Sequence, residues 1–367
     1  MRSVYIHIPF CKSICSYCDF CKFLYKEEWA ESYLSALKNE IFEYYEGDTI
    51  KTIYIGGGTP SSLSLDDIYY LFKIIEVFKT TDNPEITFEC NINDITKELL
   101  QELKECGVNR LSIGIESFDQ INLKFLNRKH DKKMIKENIK LAKKYFENIN
   151  VDLIYALPTE TMHLFKKDVK EILSLDVTHI STYSLIIEDH TILWNKKIKN
   201  ISEDDDAKMY KYICKKLRKN GYIHYEVSNF AKEGYPSRHN ITYWNNEEYY
   251  GFGLGSHGYI NKIRYENTRN FNKYLNGEYK FNELLVSTQE EMENEIILGL
   301  RKLNGVNICE FNRKYGVDIF DVFPKIEKVL DMKKGLLEYR KVDETHKYIY
   351  IPEKKIYVMN EIINMII

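Results

Sequence analysis

The stretch Cys11-Lys12-Ser13-Ile14-Cys15-Ser16-Tyr17-Cys18-Asp19-Phe20-Cys21 decides how the rest of this chain is read. It holds four of the chain's eight cysteines, and three of them are spaced C-x3-C-x2-C. The run follows a short apolar stretch, residues 4–10. Thiolates are soft ligands, and clustered cysteines in a reducing compartment usually hold zinc or an iron–sulfur cluster. A closed zinc site takes four ligands, typically as two separated pairs, and no second C-x2-C pair lies elsewhere in the sequence. Three cysteines on one tight loop instead leave one iron of a [4Fe–4S] cluster free to bind a substrate or cofactor. The plainer alternatives are a structural metal site without chemistry and a redox pair, Cys15/Cys18 or Cys18/Cys21.

A chain of 367 residues has room for one large α/β domain and a smaller one. Charged residues make up 29% and the formal net charge is −3, with no basic stripe, so nucleic acid is not an expected partner. No apolar run reaches the roughly 20 residues of a membrane span. Met1-Arg2-Ser3 leads straight into the cysteine region and leaves no room for a signal peptide. Cys90, Cys106, Cys214 and Cys309 are scattered and read as ordinary buried residues. The expectation is a cytoplasmic protein without an integral membrane segment.

Strand-like runs at residues 3–8, 52–55, 85–90, 108–115, 150–155 and 178–184 alternate with helical stretches at 27–46, 63–78, 96–106, 119–126, 131–147, 161–174 and 203–219. Residues 223–227 suggest one further short strand. Strands separated by helices of this length imply right-handed βαβ units, a parallel sheet and a full or partial (β/α) barrel. Such a barrel places its chemistry at the C-terminal ends of its strands. From about Ser287 the pattern changes. Thr288 to Glu291 reads as a capping box, helical stretches at 308–315 and 319–332 follow, and strand-like runs at 336–340 and 347–351 precede a final helix. The expected division is a barrel core over residues 1–230, a connecting segment over 231–286 and a small winged-helix-like α+β domain over 287–367. That last shape alone does not imply DNA binding.

Two further groups carry chemistry. Gly56-Gly57-Gly58-Thr59-Pro60 ends a strand without side chains, so its backbone groups can bond the amino and carboxylate groups of a ligand. Glu89, Glu116, Arg128 and Asp152 fall at or just beyond strand ends. Together they offer carboxylates for a ribose and an ammonium, and a guanidinium for a carboxylate.

Tyr5-Ile6-His7-Ile8-Pro9-Phe10-Cys11, the glycine run, Asn109-Arg110-Leu111-Ser112-Ile113-Gly114, Asp152-Leu153-Ile154-Tyr155 and Tyr225-Glu226-Val227-Ser228-Asn229-Phe230 together resemble the oxygen-independent coproporphyrinogen III oxidase-like radical SAM family, from about residue 3 to the C-terminus. The resemblance implies a [4Fe–4S] cluster on Cys11, Cys15 and Cys18, with S-adenosylmethionine (SAM) chelating the open iron. By matching positions, Tyr5, Gly57, Gly58, Thr59, Glu89, Glu116, Arg128 and Asp152 would line the SAM site. Three positions depart from the family pattern: Glu116 stands where Gln is usual, Ile92 where Pro is usual, and Ser237 where Cys is common.

The true oxidases resemble C-x3-C-x2-C-x-C and carry an N-terminal extension. Here Phe20 takes the extra cysteine's position and only ten residues precede Cys11. His239-Asn240-Ile241-Thr242-Tyr243-Trp244 matches the H-N-x-x-Y-W motif of a heme chaperone branch. The resemblance implies heme on His239, heme-receiving respiratory proteins as partners, and an electron donor for the cluster. Residues 237–244 are expected on a loop facing the open end of the barrel, with His257 as the alternative ligand on the same side. The rival functions are coproporphyrinogen III oxidation and a metal-dependent scaffold without SAM chemistry.

Overall fold

The structure, a computed structural model, describes residues 1–332 and 334–367. Its centre is a twelve-stranded sheet. Six strands come in sequence: β1 (Arg2–Ile8), β2 (Ile50–Gly57), β3 (Thr80–Asn91), β4 (Arg110–Glu116), β5 (Asn148–Tyr155) and β6 (His179–Ser184). Each pairs in parallel with the next, and the helices between them return the chain. Side chains alternate along these strands. Val4, Ile6, Ile53, Ile55, Leu111, Ile113, Val151 and Ile180 are buried in the main apolar core. The residues between them are polar and face the interior of an open, partial barrel.

The remaining strands correct the expected outline. Residues 223–227 do form a strand, β7 (Ile223–Glu226), but it pairs antiparallel with β8 (Asn229–Ala231), which closes antiparallel on β6. The expected connecting segment holds four strands. β9 (Tyr249–Phe252) runs parallel to β1 as a seventh parallel strand on its other side. β10 (His257–Ile260), β11 (Ile263–Asn267) and β12 (Lys280–Leu285) then extend that edge antiparallel.

Residues 237–244 are not a loop. Arg238–Trp244 is a helix, capped by the Ser237 side chain, which accepts from the Asn240 N–H. It packs against β2, and its first two N–H groups, from Arg238 and His239, donate to the Glu85 carboxylate at 3.0 Å each. Thr52 and Glu85 lie in the N-terminal halves of the pairing segments of β2 and β3, so the helix closes the end of the barrel opposite the cysteine loop.

The C-terminal part opens on the helix Thr288–Gly299. Its capping box is Ser287 with Glu290, one residue earlier than expected, because both Ser287 and Thr288 fit the same pattern and Ser287 takes the extended cap conformation. The stretch 319–332 splits into Ile319–Val322 and Lys325–Asp331 around Pro324. Val306–Asn307, Glu338–Lys341 and Lys347–Tyr350 form a three-stranded sheet, and the helix Met359–Ile366 ends the chain. Among the described residues no helix is long and apolar enough to cross a membrane.

Candidate functional site

The cysteine loop leaves the C-terminal end of β1 and is held from two sides. Its base pairs in parallel with the chain beyond it, Phe10 with Phe23 and Cys11 with Leu24. Its tip is tied to the end of the helix Gln120–Phe125 that follows β4: Ser16 N–H donates to Leu126 O at 3.1 Å, and Asn127 Nδ2 donates to Ile14 O at 2.7 Å. Beneath the tip a second apolar core of Leu126, Ile154, Leu157, Leu185 and Leu193 takes Tyr17 against it. Asn127 and Tyr17 therefore fix the loop. Tyr17 lies inside the cysteine stretch that the sequence marks, whereas nothing in the sequence marks Asn127.

Cys11, Cys15 and Cys18 line one cavity of about 360 Å³ at the C-terminal ends of the strands. Gly57, Gly58, Thr59, Glu89, Glu116, Arg128 and Asp152 line the same cavity. Burial pushes the Cys11 thiol up to about 11, although Thr59 Oγ1 donates to its Sγ at 3.5 Å. Arg128 Nη1 donates to Cys15 Sγ at 3.6 Å. Among the described residues, no three His, Cys, Asp or Glu side chains stand close enough to hold a single metal ion. The three cysteines share one cavity, and soft thiolates suit an iron–sulfur cluster there.

The polar groups around the cavity are buried and incompletely paired. Glu89 accepts from Tyr54 OH at 2.6 Å and from Gly57 N–H at 3.1 Å, and burial raises it to about 7. Glu116 lies 3.5 Å from Arg128 and is likewise raised to about 7, burial outweighing the guanidinium. Its backbone is left-handed, φ 59°, an uncommon and strained conformation for a glutamate. Asp152 accepts from Asn150 Nδ2 at 2.9 Å, and its carboxyl too is raised by burial. Arg128 Nη2 donates to Gly114 O, while its Nε is buried without a partner. An unpaired buried donor between a carboxylate and the thiols fits a ligand that brings its own acceptors.

Three expected placements differ. Tyr5 does not reach the cavity wall: its hydroxyl meets His7 Nδ1 at 3.0 Å, and His7 Nε2 meets Cys21 O at 2.7 Å. Cys21 also turns away, lying against the turn at Gly255. His239 is buried on the barrel-closing helix, Nδ1 at 2.8 Å from Thr52 Oγ1 and Nε2 at 2.7 Å from Tyr243 OH. Burial depresses it to about 3, so the ring is neutral. His257 is not on the same side. It starts β10 near the cysteine-loop end of the sheet, with 59% of its side chain exposed.

Glycines 57 and 58 are demanded by the fold itself. A Cβ on Gly57 would lie 2.5 Å from the His7 ring, at φ 114°. One on Gly58 would lie 2.8 Å from Phe10 O and 2.9 Å from Phe10 N. A side chain at Gly58 would first meet the backbone just ahead of Cys11.

The radical SAM superfamily model matches residues 5–172, and the HemN C-terminal domain model matches residues 286–341. The fold resembles the solved structure of coproporphyrinogen III oxidase (HemN) from Escherichia coli, a radical SAM enzyme, with a TM-score of 0.86 at 23% identity over 99% of this chain and 89% of that one. The two domain models define the chain as a radical SAM protein, and its fold agrees. The chain is 43% identical over 338 residues to the heme chaperone HemW of Lactococcus lactis, covering 88% of this chain and 89% of that protein. It is 40% identical to HemW of Bacillus subtilis, covering 92% and 93%. Within the radical SAM superfamily the chain belongs to the heme chaperone HemW family.

Proposed function

We propose that this chain is a heme chaperone that holds a [4Fe–4S] cluster on Cys11, Cys15 and Cys18, binds SAM beside it, and passes heme to respiratory hemoproteins. The observation that supports it is the shared cavity of three thiols, three carboxyl groups and an arginine with an unpaired Nε. When bound, the cluster supplies one-electron chemistry fed by an external donor. The chain's own share is orientation. Gly57 N–H and Tyr54 hold Glu89, Arg128 is fixed by Gly114 O, and the Tyr17 ring closes off the loop tip.

Heme coordination by His239 requires its helix to open. The imidazole must leave Thr52 and Tyr243, at a cost of about 1 kcal/mol for each hydrogen bond. The test is anaerobic purification and reconstitution, with iron, sulfide, SAM and ferric heme binding measured on one sample. His239→Ala should shift the heme absorption spectrum. If His239→Ala is silent and His257→Ala is not, the iron sits at the cysteine-loop end of the sheet.

A further inference from the structure

The barrel interior between the cysteine cavity and the helix Arg238–Trp244 is filled with hydrogen-bonding side chains, and their donors can be assigned in order. Ser237 caps that helix, and its backbone N–H, necessarily a donor, points at Tyr225 OH at 3.2 Å. Tyr225 OH lies 2.8 Å from His179 Nε2. His179 Nδ1 lies 2.6 Å from Asn150 Oδ1, which also accepts from Ser181 Oγ at 3.0 Å. Asn150 Nδ2 donates to Asp152 Oδ1 at 2.9 Å and to Ser112 Oγ at 2.8 Å. An amide nitrogen can only donate and an amide oxygen can only accept. His179 must then carry its proton on Nδ1 and accept from Tyr225 on Nε2. His179 is fully buried and neutral, depressed by burial, so no second ring proton disturbs this order.

Every bond therefore runs one way, from the cap of the helix to the carboxylate in the cavity. A second contact leads to the other wall. The His239 ring lies 5.1 Å from the Tyr54 ring, whose hydroxyl donates to Glu89. The helix itself is the partition. Asn240 lines the cysteine cavity, while Ile241 and Asn245 line a separate cleft of about 1050 Å³ that Tyr225 also reaches.

We infer that Tyr225 and His179 are positioning residues for Asp152, and that the H-N-x-x-Y-W helix sets the SAM site from behind through them. The inference rests on the proposal that SAM occupies the cysteine cavity. Asp152 is buried, so its acceptor directions are not averaged by solvent. Asn150 fixes one oxygen, and Ser181 adds a second side-chain hydrogen bond, so the orientation that the carboxylate presents to the cavity is set by these neighbours. Displacement of the helix removes the Ser237 N–H and is felt at Asp152 through this chain.

The test is a double-mutant cycle on SAM affinity, measured by calorimetry on anaerobically reconstituted protein, with iron content as the control for an intact loop. Tyr225→Phe removes one hydroxyl and keeps the ring. It should weaken SAM binding about fivefold, the worth of one hydrogen bond, at unchanged iron content. In the Asp152→Asn background the same change should have no effect, because the group it positions is gone. His179→Gln cuts the chain one link nearer the cavity and decides the matter in the same way if Tyr225→Phe does not fold. An unchanged affinity, or an equal loss in both backgrounds, overturns the inference. A wild-type protein that binds no SAM overturns the reading of the cavity instead.

Discussion

Gly58→Ala separates a glycine kept for a ligand from one kept for the fold. The added Cβ would sit 2.8 Å from Phe10 O and 2.9 Å from both Phe10 N and Pro9 C, all of them backbone atoms that cannot rotate away. Relief requires the chain before Cys11 to move off the end of β2. That strains a packed region by about 1–3 kcal/mol. It also weakens the bond from Gly58 N–H to Ile8 O, 2.8 Å long and worth about 1 kcal/mol. The sum, about 2–4 kcal/mol, falls on the segment that carries Cys11, the first of the proposed cluster ligands. The assay is urea unfolding of the cluster-free protein together with iron and sulfide content after reconstitution. Gly58→Ala should lower the unfolding midpoint and the cluster content together. Gly107→Ala is the control: φ is 85° but nothing lies within 4 Å, so it should cost only the roughly 1–2 kcal/mol of a left-handed alanine and leave the cluster intact. A Gly58→Ala protein with normal stability and cluster but weak SAM binding would refute the packing argument and restore the ligand as the reason.

The cluster-free chain should be more stable at pH 6.5 than at pH 8. Burial raises Glu160 to about 8 and Glu89, Glu116 and Glu226 to about 7 in the folded state. A carboxyl raised on folding adds stability at low pH that is lost as pH rises through its folded value. The buried neutral rings of His7, His130, His179 and His239, all lowered by burial, oppose this mainly below their ordinary 6.5, where the unfolded rings take up protons. Urea midpoints at the two pH values check the sign, and an equal or lower midpoint at pH 6.5 would mean that these carboxyls are ionised when folded. Coproporphyrinogen III should not be converted under anaerobic reducing conditions with SAM, because Phe20, 61% exposed, stands at the extra cysteine's position. Formation of protoporphyrinogen would place the chain among the oxidases.

Much of the barrel was legible because its strands alternate. Thr52 and Tyr54, Arg110 and Ser112, Asn150 and Asp152, and His179 and Ser181 repeat every second residue among aliphatics. That pattern points one face at helices and the other at a polar interior. The stretch after residue 231 was not legible in this way. Gly251, Gly253, Gly255 and Gly258 make it read as turns, yet Gly251 is required where β9 and β10 approach so closely that a Cβ would lie 1.9 Å from His257 O. The partner of β9 is β1, more than two hundred residues earlier, and periodicity reports a face but not a partner. Without that pairing the helix before β9 could not be seen to close the barrel, and His239 was expected in the open. The three cysteines proposed as ligands needed no such contact, since one loop carries all of them.

The most direct test of the account is the cluster itself. Cys11→Ser, Cys15→Ser, Cys18→Ser and Cys21→Ser are each reconstituted anaerobically, and iron and sulfide are measured with the electron paramagnetic resonance of the reduced protein, with and without SAM. Cys21 lies against the Gly255 turn and does not line the cavity, so Cys21→Ser should keep the [4Fe–4S] signal and its change on adding SAM. Each of the other three should lose the signal, because serine is a poor substitute for a soft thiolate. A Cys21→Ser protein without iron, or a Cys11→Ser protein that keeps its full cluster, would contradict the three-ligand open-iron site.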